Sequence, residues 1–450
     1  MLLKSRAKEE FNISSIISAE VEWMVEYCAS AYRGQPDWED EENGIKTVNF
    51  AESICSETAR LATMGIGIKL EGSARAKWMQ EQVDKLYYEL RKWTEYACAY
   101  GTVILKPNGS TIKMYVPGQY EVTEQSGGRI TGAVFHNHAH DEQTGKYYER
   151  LEYHRFENGV YIISNKCFVG DSPNGCDQRI DIELTPWAGY LEEARILNVD
   201  RPLFAPLRTP HANNLDPSCP VTLPIFSAAL EELRDLDVAY SRNTEEIEDS
   251  KRIVLLDSDR LLPGNRPGEL NRAGLPKYVK LVGNDTSVTS DVYHEINPTL
   301  QTDTRITGIN ALLSQIGYKA GYSNGHFVFN QKTGMMTAKE VESNDRRTIQ
   351  LIKDVRDQLE SCMDDLLYAL SKLADLYQLA PVGSYEVTFD FGDITYNRDE
   401  DRARYWGYVQ AGRYPFWRFL VKFEGYTEED AKLIEKESQA KEPTLFGGEE

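Results

Sequence analysis

The densest run of chemically capable side chains in this sequence is His136-Asn-His138-Ala-His140. Alternate residues of a β-strand share one face, so a strand here lines up three imidazoles, and His154 on a neighbouring run offers a fourth. Such a set could ligate zinc. Nothing in the sequence marks a carboxylate or water-activating group beside them, however, and the run ends in the polar turn Asp141-Glu-Gln-Thr-Gly145, which favours surface or turn histidines. A metal-dependent enzyme built on His136, His138, His140 and His154 stands as an alternative reading.

Other motifs carry less. Glu231, Glu232, Asp235 and Asp249 are numerous enough to chelate Mg²⁺, but a solvated helix face is the simpler account. Gly65-Ile-Gly67 with Gly72 lacks the spacing of a phosphate cradle and reads as a strand-edge turn. No GxxxxGK[ST], GxSxG or HExxH occurs, so the sequence bears neither an ATPase nor a common hydrolase signature. It assigns no catalytic residue, no cofactor and no metal. The loop 317–336, with glycines, aromatics and two lysines between helical patterns, is long enough to suggest a functional excursion.

The elements that would position these groups belong to a globular chain. It has 450 residues, 41% of them hydrophobic, which suffices for about three domain-sized units. Lys and Arg number 50 against 71 Asp and Glu, a net charge of -21, which is the wrong sign for gripping a phosphate backbone. Seven cysteines without a CxxC pair argue against a zinc ribbon or a disulfide framework and fit a reducing compartment. Neither a signal-peptide core nor a run of about 18 apolar residues occurs, so the sequence predicts a soluble protein that no signal exports.

Apolar spacing predicts helices over 12–32, 49–64 and 74–99, the first with Ile16, Val21, Trp23, Met24 and Tyr27 inward. Period-two runs between 101 and 185 predict an antiparallel sheet, giving an α+β unit. Residues 186–224 hold seven prolines and read as an extended crossing segment, with Pro224 opening a helix to 250 that carries eight acidic residues. The charge then reverses. Residues 251–282 hold seven basic and three acidic residues, and Ile253-Val-Leu-Leu and Tyr278-Val-Lys-Leu-Val flank a turn-rich stretch as short strands. A helix over 300–316 should stop at Gly317, and Thr337-Ala-Lys-Glu340 should cap a helix running to 379. A strand at Tyr385–Phe391, helical turns over 398–411, a helix at 427–441 and a disordered tail complete the prediction.

In this order the parts resemble the portal proteins of tailed bacteriophages, most closely those of long-tailed phages of Gram-positive hosts. The resemblance rests on short stretches spread over most of the chain. They include Ile45-Lys-Thr-Val-Asn-Phe with Ala59-Arg-Leu-Ala, Glu95-Tyr-Ala-Cys-Ala-Tyr-Gly-Thr-Val-Ile and Tyr147-Tyr-Glu-Arg-Leu-Glu-Tyr-His154. Further on come Gly159-Val-Tyr-Ile-Ile-Ser-Asn165, Leu312-Leu-Ser-Gln-Ile-Gly317 and Thr333-Gly-Met-Met-Thr-Ala-Lys-Glu-Val341.

The resemblance implies a portal-type fold, with an α+β wing (1–223), a first stem helix (224–250), a small α/β clip (251–299) and a second stem helix (300–316). A tunnel loop (317–336), a long helix and strand returning to the wing (337–397) and a mostly helical C-terminal crown (398–450) follow. It implies a head-to-tail connector, a ring of usually twelve subunits at one capsid vertex through which the genome is packaged and ejected. Implied partners are double-stranded DNA, the terminase large subunit, capsid and scaffolding protein, and a head-completion or adaptor protein, with no membrane. Assembly in the host cytoplasm and residence in the virion follow, and the ATPase belongs to the terminase, so this chain is expected not to be an enzyme. The tunnel loop would bring Tyr322, Ser323, Asn324, His326, Asn330 and Lys332 to the channel, and the clip would offer Arg260, Arg266, Arg272 and Lys277 to motor or adaptor. An acidic chain suits such a channel, because many Lys and Arg contacts to phosphates would brake a moving duplex. A scaffold or adaptor that never meets DNA is the further alternative.

Overall fold

The protein is described here by a computed structural model over residues 2–40, 42–108, 111–173, 175–249, 253–257, 279–282, 293–296, 301–329, 345–392, 398–411 and 413–439. It is a mixed α+β chain that divides into two compact units, one of residues 1–63 and 68–390, the other of residues 64–67 and 391–450.

The first unit opens with α1 (Leu2–Phe11) and α2 (Ala19–Tyr32). One helix over 12–32 was the sequence expectation; instead Asn12 takes a left-handed conformation (φ 54°) that ends α1, and Ser18 is extended before α2 begins. The buried stripe of α2 is Val21, Val25 and Cys28, spaced i, i+4, i+7, whereas Trp23 is 60% exposed and stacks on Tyr27. α3 (Phe50–Thr63) follows the prediction, then β1 (Gly67–Gly72). The helix expected over 74–99 is two, α4 (Ala74–Asp84) and α5 (Tyr87–Tyr100), separated by a tight turn in which Leu86 N–H bonds Val83 O. Gly101 ends α5 at φ 81°, and a Cβ there would lie 2.0 Å from Thr222 O, so the position admits only glycine.

The period-two region forms sheets as predicted. β2 (Thr102–Asn108) and β3 (Thr111–Tyr115) pair antiparallel. β4 (Tyr120–Ser126), β5 (Arg129–Asp141), β6 (Lys146–Glu157), β7 (Val160–Gly170) and β8 (Gln178–Ile180) run side by side in chain order. β9 (Glu193–Ile196) also pairs with β7, and β10 (Ala205–Arg208) joins β2 from the proline-rich segment. Helices and that segment cover the sheet residues: Val21, Ile104, Tyr115, Phe135, Phe204 and Leu223 share one core cluster, while Leu3 and Ala7 of α1 pack with Val134, Leu151 and Phe168 in another.

α6 (Leu230–Asp249) then leads to three short strands, β11 (Ile253–Asp257), β12 (Val279–Val282) and β13 (Tyr293–Ile296), with β11 between a parallel β12 and an antiparallel β13. α7 (Thr302–Lys319) returns. It runs through Gly317, where the sequence placed its stop, because Gly317 serves packing: a Cβ would meet the Phe327 ring at 3.2 Å. The long helix is Arg346–Leu376, and Leu351, Ile352, Val355, Leu359, Met363, Leu366 and Leu370 form its inward stripe. Thr337–Glu340, the expected cap, lies outside the described residues. β14 (Tyr385–Asp390) pairs with β1. Among the described residues no helix is long and apolar enough to cross a membrane. All seven cysteines are buried and free, and burial pushes the Cys28 and Cys98 thiols up to about 12.

The second unit is helical, with Arg398–Gln410, a short helix Phe416–Phe419 continued by a π-helical turn to Glu424, and Glu428–Gln439. Its core is aromatic: Phe419 and Phe423 pack together, Tyr405 meets Tyr414 and Phe423, and Trp406 meets Phe419. Thr427 Oγ1 accepts from Asp430 N–H and caps the last helix, as its spacing predicts. The tail beyond Gln439 lies outside the described residues.

Candidate functional site

Three places draw the candidate residues together: a helical hairpin, the loop behind it, and the large sheet. In the hairpin α6 and α7 run antiparallel. Glu232, 9% exposed, accepts from Lys319 Nζ at 2.7 Å and Gln315 Nε2 at 2.9 Å near one end. Glu246 pairs with Arg305 and accepts from Gln301 N–H toward the other. Leu233, Leu236, Ile309, Leu313 and Ile316 are buried on these helices. The pair is about 30 Å long, and the small sheet β11–β13 lies in the connection between them. Glu231, Asp235, Glu245 and Asp303 remain exposed on its surface beside Arg234 and Arg242. The clip residues Arg260, Arg266, Arg272 and Lys277 lie outside the described residues.

The loop after α7 does not present all its expected residues. Tyr322 is fully buried, its hydroxyl 2.6 Å from Thr58 Oγ1, and Ser323 is 4% exposed in a reciprocal pair with Thr348. These two therefore anchor the loop to α3 and to the long helix rather than reaching outward, a correction to the sequence reading. The reason is local: Phe327 packs edge-on to Phe50 and onto Gly317, which folds the chain back on itself. His326 lies against Tyr322 and 3.7 Å from Glu57, burial holding its pKa below the ordinary imidazole value, while Asn324 is exposed. Asn330 and Lys332 lie outside the described residues. Thr58 already donates to Ile54 O, so the Tyr322 hydroxyl is the donor of their pair. Tyr322→Phe is expected to cost about 1 kcal/mol in thermal or urea unfolding, a lost neutral hydrogen bond, without altering the fold.

On the sheet, His136, His138 and His140 share one face of β5, as period two requires. His154 does not join them. It pairs across from Ala133, so it points to the opposite face, and the four-histidine set of the sequence reading is overturned by register. The His136 and His138 rings lie 4.0 Å apart at a tilt of 55°, His140 stacks on Tyr147, and Glu149, the partner of His138 across the strands, is held by Arg6 and His136. Among the described residues no group of three or more His, Cys, Asp or Glu is placed to hold a metal ion.

The opposite face carries a buried polar network that the sequence reading missed. Glu152, 5% exposed, binds Lys106 Nζ through both oxygens at 2.9 Å, Arg150 Nη2 at 3.0 Å and His154 Nε2 at 2.9 Å. Tyr161 OH accepts from Leu203 N–H and so donates to His154 Nδ1, which places the imidazole proton on Nε2 toward Glu152. Burial alone would raise the Glu152 carboxyl, yet the Lys106 and Arg150 charges and the His154 bond carry it well below the usual carboxylate range. Burial holds His154 below the ordinary imidazole value and Lys106 below the ordinary amine value. Arg150, Glu152 and His154 alternate with Leu151 and Tyr153, a pattern that reads as a solvent face unless the cover from Trp187 and Tyr190 is known.

No protein-family model matches the chain, and no curated protein matches it.

Proposed function

We propose that this chain is the subunit of a portal-type ring, a head-to-tail connector that guides double-stranded DNA at a capsid vertex and docks a packaging motor and head-completion proteins. The observation that carries the reading is the hairpin: two antiparallel helices bound by Glu232–Lys319 and Glu246–Arg305, with a three-stranded sheet in the connection between them. A stem bearing a clip has that construction. The large sheet unit supplies the wing, the buried Tyr322 and Ser323 fix the root of the tunnel loop, and residues 398–450 form the crown. Net charge -21 and the exposed acids of α6 suit a channel that must not hold phosphates. Asn324, His326, Asn330 and Lys332 then stand as the loop residues proposed to face the duplex, and Arg260, Arg266, Arg272 and Lys277 as contacts for motor or adaptor.

The half-exposed apolar positions of the hairpin, Tyr240 at 46% and Ile306 and Leu312 in part, fit burial against neighbouring copies. Electron microscopy of the purified chain, alone and co-expressed with capsid and scaffolding protein, is expected to show closed rings of about twelve copies with a channel that admits a duplex. Monomers under every assembly condition, or rings closed at the axis, would refute the reading; the second result would favour a scaffold or adaptor.

A further inference from the structure

Where the two sheets of the first unit meet, a lysine, an asparagine and a glutamate from three different strands converge. Lys113 of β3 belongs to the sheet β10–β2–β3, whereas Asn137 of β5 and Glu152 of β6 belong to the six-stranded sheet. Lys113 Nζ lies 3.4 Å from Asn137 Oδ1, which at the length of a carbonyl bond puts the nitrogen about 4 Å from Asn137 Cγ. Tyr115 OH donates to the same oxygen at 2.6 Å, and Asn137 Nδ2 donates to Glu152 Oε2 at 3.4 Å. An ionised carboxylate only accepts, so the amide atom beside it is the nitrogen, and the amine and the hydroxyl face the oxygen. Asn137 is 3% exposed and Glu152 is buried with it, while Lys113 is half-buried with its Nζ 4.8 Å from the Tyr115 ring centroid. Burial and the Arg150 charge hold the Lys113 amine below its ordinary pKa, which favours the neutral, nucleophilic form.

We propose that Lys113 and Asn137 join through an amide bond between their side chains, a covalent staple between the two sheets. The neutral Nζ attacks Asn137 Cγ, and the carbonyl electron pair moves onto Oδ1, where Tyr115 OH is already placed to hold the oxyanion. Once bonded to Cγ, Nζ lies beside Nδ2 and within reach of the same carboxylate oxygen. Glu152 Oε2 takes a proton from Nζ and passes it to Nδ2. The Cγ–Nδ2 bond then breaks, ammonia leaves, and the carbonyl re-forms in a secondary amide. One C–N bond replaces another, nothing is oxidised or reduced, and the carboxylate is regenerated. Lys106 is not the nucleophile, because both Glu152 oxygens hold its Nζ at 2.9 Å as a counter-charge. The sheets bring amine and amide together in advance, which removes most of the entropic barrier to such a step. The bond closes a loop between positions 24 apart in the chain and, like a disulfide, restricts the unfolded state. It does not depend on the portal reading.

The test is the mass of the full chain, followed over time in native buffer. Intact mass spectrometry is expected to show a species lighter than the sequence by one ammonia. Its tryptic digest should contain a branched peptide joining Lys113 to Asn137, with cleavage after Lys113 lost. Lys113→Arg keeps the charge but offers no amine, and it is expected to hold the full sequence mass, as is Asn137→Ala. Tyr115→Phe is expected to slow the loss of ammonia about a hundredfold, the effect of removing an oxyanion donor, which a merely structural hydroxyl would not produce. Should Asn137→Ala fail to fold, Lys113→Arg, at the half-buried position, carries the comparison. A full chain that keeps its sequence mass, a branch at Lys106, or a loss of ammonia that persists in Lys113→Arg overturns the staple. So does a loss without a branched peptide, which reports a succinimide instead.

Discussion

Glu152→Gln is expected to cost about 3–5 kcal/mol of folding stability, measured as a lowered urea midpoint with an unchanged slope. Among the described residues the carboxylate is the one buried counter-charge to Lys106 and Arg150, and an amide of the same shape leaves both cations uncompensated in a site that water does not reach. The double variant Glu152→Gln/Lys106→Met is expected to recover part of the loss, since it removes one stranded charge along with its partner. The acid limb of stability gives a second reading. The folded-state pKa of Glu152 is depressed, so its contribution is present above the ordinary carboxyl value of 4.5 and is lost as pH falls toward the folded value. His154 acts in the window above that. Its folded pKa also lies below the ordinary 6.5, the unfolded chain takes up that proton first, and stability declines as pH drops below about 6.5. Glu152→Gln should therefore remove the drop below 4.5 that this carboxylate produces in the wild type. A variant as stable as the wild type would mean that Lys106 is neutral in the folded chain and that Arg150 is held by its aromatic cover rather than by the carboxylate.

What the sequence made legible follows from which physical signal each element carries. The strands from 101 to 170 were readable because period two is local, and so was the face shared by His136, His138 and His140. The opposite placement of His154 was not, because it depends on which residue lies across the strands, and register is a property of the pair. The break between α4 and α5 was hidden for a different reason. Met79, Val83, Leu86, Leu90, Trp93 and Ala97 keep three- and four-residue spacing straight through it, so the apolar stripe continues where the helix does not. Gly317 misled because glycine has two uses. It can end a helix by adopting positive φ, or lie within one where a ring comes too close for a Cβ, and only the position of Phe327 separates them. The hairpin and its strand insert were legible from Pro224, the acidic helix and the short apolar runs, whereas its ion pairs join residues more than 50 positions apart. The channel placement of Tyr322 and Ser323 follows from the resemblance alone, and the partners that bury them, Thr58 and Thr348, lie on two other helices, which nothing local in the loop sequence signals.

Arg75→Ala is expected to be as damaging as the loss of Glu152, about 3–5 kcal/mol, although Arg75 sits far from any candidate chemistry in the sequence. Its side chain is 1% exposed and its guanidinium donates to Ser371 O at 2.6 Å, Ala380 O at 2.9 Å and Pro381 O at 2.9 Å, with Asp375 Oδ1 at 2.6 Å. One side chain of α4 thus satisfies carbonyls on both sides of the C-terminus of the long helix and places a positive charge at the negative end of its dipole. The connection it fixes leads directly to β14, whose pairing with β1 closes this edge of the unit. Truncation leaves those carbonyls without their donor and unfixes the strand, so amide exchange at residues 385–390 should quicken while α5 stays protected. Arg75→Lys separates charge from geometry. An ammonium supplies the same charge but not a planar fork able to reach four acceptors, and it is expected to restore only a small part of the loss. Asp375→Asn, at a carboxylate 44% exposed, should change stability by less than about 1 kcal/mol, because the backbone acceptors rather than the ion pair carry the attachment. Full rescue by lysine would reverse that ranking and make the helix dipole, with the Asp375 charge, the attachment instead.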